Sequence, residues 1–436
     1  MRKALATILA LVLCVLSACT AKQPAPPAGG GGAAPAKVSL QFVFPVAVGG
    51  AAANSLNKMV SDFNAANPNI QVTPIFAGNY ADTMTKVQTG IQGGTPPDVV
   101  VLLATDVYTL MDMNAIVPLD SYVQKDPDGQ QYVSDFLTSL MLNSQINGKL
   151  WSIPFQRSVP VLYYNKALFK AAGLDPNAPP KTWADLVSYG HKLTVPGKQW
   201  GVEIPSDGYP YWVFSSFFIQ NGKNIVNENG TQTYFNDPAV VDGLNFITSL
   251  AKSEKIMPSG VLNWADIPND LVAGKVGMIY HTTGSIGLLK SKMDPANLGV
   301  ALMPAGKKPG APTGGGNIYM VKTTPEKQDA TWKFIRFMTD TQRAAQWAVD
   351  TGYIATRQSA WNTDVMKNAV AAFPGYTVGR DELQYADREL ATHQNQQVLK
   401  AFGDQLQAVV SGTKTAQAAM DQAQSDADKI LTPFRK

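Results

Sequence analysis

Residues 97–106 read PDVVVLLATD, and the run from Val99 to Leu103 is apolar at every position. A strand that offers water neither face has to be covered on both, and helices packed on each side of a parallel sheet are the usual cover. The flanking sequence supplies them. KVSLQFVF (37–44) reads as a strand, and NSLNKMVSDFNAANP (54–68) places Leu56, Met59, Val60 and Phe63 at helical spacing before Pro68 ends the segment. IQVTPIF (70–76) is a second strand and 82–92 a second helix. The order βαβαβ predicts a three-layer α/β unit whose ligands gather at the carboxyl ends of the strands. FAGNYAD (76–82) and LLATDVY (102–108) are the segments that end there.

The alternation restarts beyond residue 150. GKLWSIPF (148–155) and SVPVLYYN (158–165) read as strands, and KALFKAAG (166–173) is a helix closed by Gly173. PPKTWADLVSYGHKL (179–193) opens another helix, with Thr182 as N-cap and Asp185 three residues on, the spacing of a capping box. VGMIYHTTGS (276–285) is a late apolar strand running into a polar turn. Two helices close the chain: Phe402, Leu406 and Val410 mark the inner face of one, Gly412 breaks it, and 415–431 forms the other. About 400 residues of such sequence are too many for one core and suit two α/β lobes around a cleft.

The first 37 residues carry a different message. Arg2 and Lys3 precede the apolar stretch Ala4–Ala18, which is shorter than the roughly 20 residues a helix needs to span a bilayer. A cleaved export signal (1–18) is expected. Leu16-Ser17-Ala18-Cys19 resembles the lipobox of bacterial lipoproteins, implying lipidation at Cys19 and an extracytoplasmic location on the outer face of the plasma membrane or in the periplasm; an ordinary signal peptide is the alternative. The Pro-, Gly- and Ala-rich segment 19–37 then serves as a flexible tether. Cys14 and Cys19 are the only cysteines, so the body beyond them carries neither disulfide nor thiolate chemistry.

Charge and motifs narrow the function. Lys and Arg number 36 against 33 Asp and Glu, a balance that leaves no basic stripe for a nucleic-acid partner. His191, His281 and His393 are scattered without metal-ligand spacing, so no metal or cofactor is expected. Ser249-Leu250-Ala251-Lys252 matches an S-x-x-K acylation motif but sits in FITSLAKSEK, which reads as a helix, and Asp126-Pro127-Asp128-Gly129 has its glycine too early for a calcium loop and reads as a turn. The reading is a binder, not an enzyme.

PVLYYNKALFKAAGLDPNAPPKTWADL (160–186) resembles the signature region of family 1 extracellular solute-binding proteins, the receptors of ABC importers. FNAANPNIQV, PPDVV, AIVPLD, AGKVGMIYHTTGSIG, DTGYIATRQSAW and SGTKTAQAAM fall in that family's order, and Gly78-Asn79-Tyr80 is similar to its glycerol-3-phosphate-binding branch. The resemblance implies a periplasmic-binding-protein fold of class II type: two α/β lobes, a hinge and a ligand cleft between them. Lobe 1 is expected at 38–150 and 281–326, lobe 2 at 151–280 and 327–436. It implies a monomer that captures a small solute and delivers it to the permease subunits of an ABC transporter. A sensor or adhesin without transport would share the fold.

Site expectations come from two sources. The resemblance implies ligand contact at Tyr80, Ser158, Thr282, Gly315 and Tyr353. The residues themselves add Thr105 and Asp106 at the end of the buried strand, Asp106 serving either as a helix N-cap or as a ligand contact. DGYPYWVF (207–214) concentrates Tyr209, Tyr211 and Trp212, either as rings stacking on a sugar or as core, and Arg157 beside Ser158 could hold a vicinal diol. Two positions depart from the glycerol-phosphate branch. Ala104 stands where that branch has an acid, and Leu399 where it has the arginine for phosphate, with Arg388 and Lys400 as imperfect substitutes. A mono- or oligosaccharide is therefore expected ahead of glycerol 3-phosphate or a glycerophosphodiester, and Trp212→Ala and Asp106→Ala should weaken binding without unfolding the chain.

Overall fold

The computed structural model describes residues 37–46 and 51–435; the expected signal, Cys19 and the tether as far as Ala36 lie outside these residues. The principal strands are β1 (Val38–Phe44), β2 (Ile70–Phe76), β3 (Val99–Leu103), β4 (Ile153–Ser158), β5 (Pro160–Asn165), β6 (Trp200–Glu203), β7 (Val276–Thr282), β8 (Leu298–Ala301) and β9 (Gly314–Met320). They form a five-stranded sheet in the order β2-β1-β3-β9-β4 and a four-stranded sheet in the order β8-β5-β7-β6.

The first sheet answers to the sequence pattern. β1 pairs in parallel with β2 from Val38↔Ile70 to Phe44↔Phe76, and with β3 at Phe42↔Val99. Every residue of β3 is buried, with Val99, Val101 and Leu103 in one apolar cluster and Val100 and Leu102 in another, so the sheet is covered on both faces. The helix Ala52–Ala66 supplies one cover through Leu56, Met59, Val60 and Phe63. The second helix starts earlier than expected, at Tyr80, because Asn79 caps it. Its Oδ1 accepts from the Asp82 amide at 3.0 Å while Asp82 accepts from the Asn79 amide at 3.1 Å. This capping box sets Tyr80 at the carboxyl edge of the sheet. Farther on, Asp185 and Thr182 form the expected box at the start of Trp183–Leu193.

The lobe boundaries differ from those expected. β4 (153–158), placed in lobe 2 by sequence, closes the first sheet. β8 (298–301), placed in lobe 1, is the edge of the second. The helix Pro325–Met338, expected in lobe 2 from residue 327 on, packs on the first sheet, with the Phe334 ring 5.2 Å from Phe42, and Trp347 of the next helix, Thr341–Thr351, stacks on Phe155 of β4 at 5.2 Å. The physical reason is β9, which runs antiparallel to both β3 and β4 and fills the gap between them. The chain crosses between sheets at Val159, again between β8 and β9, and through its C-terminal segments. Of these, the crossing between β8 and β9, LMPAGKKPGAPT (302–313), carries the Pro- and Gly-rich composition of a linker, whereas the crossing at Val159 is a single apolar residue.

Candidate functional site

β3 and β4 end, and β9 begins, on the side of the first sheet where the chain crosses to the second, and a small recess lies there. Tyr80, Leu103, Ser158 and Gly315 line it from the first sheet and its helices. Tyr209, Tyr211, Trp212, Trp264 and Thr282 line it from the second, and Tyr353 and Glu389 come from the C-terminal third. A wider vestibule of about 1270 Å³ adjoins it, sharing Tyr80, Leu103, Tyr209, Tyr211 and Trp264 and adding Asn79, Asp106, Gln396, Leu399 and Lys400.

The aromatic wall is built by an exceptional helix. Pro210–Gln220 is buried at every position, so it carries apolar residues all round rather than on one stripe. Trp212, 6 % exposed, donates Nε1–H to the Thr313 carbonyl at 2.7 Å. Its ring lies against Gly314, where a Cβ would come 2.3 Å from the indole, and a Cβ on Gly316 would come 2.8 Å from the Tyr80 hydroxyl. Gly315 has φ +85° and would press a Cβ to 2.1 Å of the Gln156 carbonyl. TGGGN is thus a strand whose missing side chains make room for Trp212, Tyr80 and β4. Trp264 stands edge-on to Tyr209 at 5.1 Å and 6.2 Å from Trp212.

Polar groups stud this wall. Gln156 donates Nε2–H to the Tyr80 hydroxyl at 2.8 Å and to the Tyr353 hydroxyl at 3.2 Å, so both phenols accept there and keep their own protons for other partners. Tyr353 also stacks on Trp347 with ring centres 6.0 Å apart. Burial pushes the Glu389 carboxyl up to about 8, with Arg157 acting against the shift. Burial likewise pushes Asp106 up to about 7, opposed by the hydrogen bond it accepts from Gln396 at 3.3 Å.

Of the residues expected at the site, Tyr80, Ser158, Tyr211, Trp212, Thr282, Gly315 and Tyr353 meet in the recess, and Asp106 lines the vestibule. Asp106 makes no side-chain cap to the helix Val107–Asp112, which removes the N-cap alternative. Three expectations need correction. Arg157 is fully buried and is not offered to a diol: alternation along β4 turns it away from Gln156 and Ser158, and it donates Nη1–H to Gly315 O at 3.1 Å with Nη2 3.3 Å from Glu389. Thr105 is wholly buried and lines neither compartment. Arg388 lines a separate cavity of about 1230 Å³, where it is bound to the Glu228 carbonyl at 2.9 Å and carboxylate at 2.8 Å.

Sequence reasoning missed Glu389 and Trp264. Glu389 is the neighbour of the arginine that was singled out, and nothing in LNWADIP (262–268) marks Trp264. Leu399 and Lys400 do reach the vestibule, but Lys400 is bound to Asp404 at 2.8 Å. The S-x-x-K match lies in the helix Pro238–Lys252, where the Ser249 hydroxyl donates to the Phe246 carbonyl at 2.7 Å. Asp126 and Asp128 both bind Arg336, so that turn is an ion-paired corner. Among the described residues no cluster of His, Cys, Asp and Glu could hold a metal ion, and no helix is long and apolar enough to cross a membrane.

Comparison with known proteins agrees with this fold. The sn-glycerol-3-phosphate-binding periplasmic protein UgpB of Escherichia coli K12 is 28 % identical over 401 residues, covering 87 % of this chain and 90 % of the relative. Mycobacterium tuberculosis UgpB in complex with glycerophosphocholine superposes with a TM-score of 0.79 at 22 % identity, over 90 % of this chain and 99 % of that one. A solute-binding protein from Thermotoga lettingae bound with α-D-tagatose gives 0.78 at 22 % identity, over 91 % and 100 %. These two structures share the two-lobed fold. The family model described as bacterial extracellular solute-binding protein matches residues 58–374. On that match the chain belongs to the bacterial extracellular solute-binding proteins.

Proposed function

We propose that the protein captures a neutral carbohydrate, a mono- or oligosaccharide, outside the membrane and delivers it to an ABC permease, held to the membrane through a lipid on Cys19. The observation that carries this reading is the recess itself: Tyr209, Tyr211, Trp212 and Trp264 wall it, and among the described residues no Lys or Arg lines it. Aromatic rings pack on the C–H faces of a pyranose while a few placed polar groups select its hydroxyls. Tyr80, Ser158, Thr282 and Glu389 supply such groups. Solute binds in the open form and closure of the lobes buries it, which presents both lobes to the permease.

Glycerol 3-phosphate or a glycerophosphodiester is the second reading, favoured by the names of the relatives and by Lys400 in the vestibule. Against it, phosphate is best held by a bidentate guanidinium, whereas Arg157 is fully buried beside Glu389. A thermal-shift panel of mono- and disaccharides, maltodextrins, glycerol 3-phosphate and glycerophosphocholine tests the choice. A ligand at a hundred times its dissociation constant adds about 2.7 kcal/mol. A shift with sugars alone supports the carbohydrate reading; a shift with the phosphates alone overturns it.

A further inference from the structure

We infer that His281 is a positioning residue for Trp264, holding that indole as the wall between recess and vestibule without touching ligand; this rests on the carbohydrate reading, in which Trp264 is a stacking platform. His281 is the penultimate residue of β7, 1 % exposed, and lines neither compartment. Its imidazole lies against the Trp264 ring with centres 3.8 Å apart. Nε2 is 3.1 Å from the Trp264 carbonyl and Nδ1 2.6 Å from the Ser285 hydroxyl. A carbonyl can only accept, so Nε2 carries the proton, and Nδ1 accepts from Ser285. Both nitrogens are thereby committed, and burial, which lowers the imidazole to about 4, keeps it neutral.

Trp264 depends on this seat. It lies in the irregular segment between the helices Pro238–Lys252 and Ile267–Val272. Its neighbours are tied down independently: the Leu262 amide donates to Ser206 and the Asn263 side chain to Asp207. The backbone of Trp264 itself is held at its carbonyl by His281, and its ring is packed by His281 on one side and by Tyr209 and Gly208 on others, a Cβ on Gly208 coming 2.9 Å from Trp264 Cβ. One buried imidazole thus fixes both the main chain and the ring of Trp264, one of the five residues that line both compartments.

Glutamine and asparagine separate this role from simple packing, because a glutamine amide reaches the Nε2 position and an asparagine amide only the Nδ1 position. Two readouts apply: the 19F signal of Trp264 in 5-fluorotryptophan-labelled protein, assigned by its loss in Trp264→Phe, and the dissociation constant for maltotriose by calorimetry. We expect His281→Gln to keep a single Trp264 line and near wild-type maltotriose affinity. In His281→Asn the line shifts or broadens and affinity falls about tenfold, the weight of one ordered hydrogen bond. Equal behaviour of the two variants, or an undisturbed Trp264 line in His281→Asn, overturns the proposal. Should His281→Asn fail to fold, Ser285→Ala, which frees the tautomer, has to disturb the same line, and an unchanged line overturns it. A disturbed line in His281→Asn, with a wild type that ignores maltotriose and every other sugar of the panel, supports the positioning role and sinks the carbohydrate reading alone.

Discussion

Gly314→Ala adds a single methyl group, and the structure says what it meets. Gly314 sits at the start of β9, paired with Ser158, and is not among the glycines of positive φ, so alanine suits its backbone. The new Cβ would stand 2.3, 2.5 and 2.6 Å from Cζ2, Cε2 and Nε1 of Trp212. Carbon atoms in contact prefer about 3.5–4.0 Å, so the indole has to retreat by more than about 1 Å. Trp212 is only 6 % exposed, with Trp264 and the second-lobe core around it, so it cannot retreat into water. Overpacking of this kind costs about 1–3 kcal/mol. The retreat also strains or breaks the Nε1–H bond to Thr313, a further loss of about 1 kcal/mol. The expected total is a loss of about 2–4 kcal/mol, measured by urea unfolding followed by tryptophan fluorescence. A double-mutant cycle makes the cause explicit: in a Trp212→Phe background the six-membered ring is shorter and has no Nε1, so Gly314→Ala should cost at least about 1 kcal/mol less there. A Gly314→Ala protein within about 0.5 kcal/mol of wild type, or an equal cost in both backgrounds, would refute the reasoning.

Other variants divide the site by function. Trp212→Ala should cost about 3–5 kcal/mol of stability because the ring is core as well as wall, which corrects the expectation that it leaves folding untouched. Trp264→Ala, at a half-buried position, should lower affinity for the stabilising sugar while costing less stability than Trp212→Ala; wild-type affinity would remove Trp264 from the site. Arg388→Ala should leave binding unchanged because it faces the cavity beside Glu228, and a large loss of affinity in calorimetry would reinstate it. Glu382 is 1 % exposed, accepts from the Met303 amide at 3.0 Å, and is pushed by burial from 4.5 to about 7. The folded chain therefore keeps that proton while the unfolded chain loses it. This contribution to stability is complete below about pH 4.5 and is lost as pH rises through 7. Relative to Glu382→Gln, the wild type should lose on the order of 3 kcal/mol between pH 4.5 and 8. Parallel urea-unfolding profiles for the two proteins would refute it.

Sequence alone determined the elements whose causes are local. Val99–Leu103 had to be a doubly covered strand because all five side chains are apolar, and Leu56, Met59, Val60 and Phe63 had to share a helix face because of their spacing. The box of Thr182 and Asp185 and the break at Gly412 are written in adjacent residues. The family resemblance also carried Tyr80, Ser158, Thr282, Gly315 and Tyr353 to one recess. Tertiary structure decided the rest, because it depends on contacts between residues far apart in the chain. β9 joins the first sheet after an excursion of more than two hundred residues from β3, and pairing of that kind leaves no periodicity to read. The glycines of TGGGN look like room for a ligand in the sequence; in the fold that room belongs to Trp212, Tyr80 and β4. Which of Arg388 and Glu389 faces the recess turns on how one short segment meets Arg157 and Glu228. Local patterns fix what a segment is; only packing fixes which of its side chains meet.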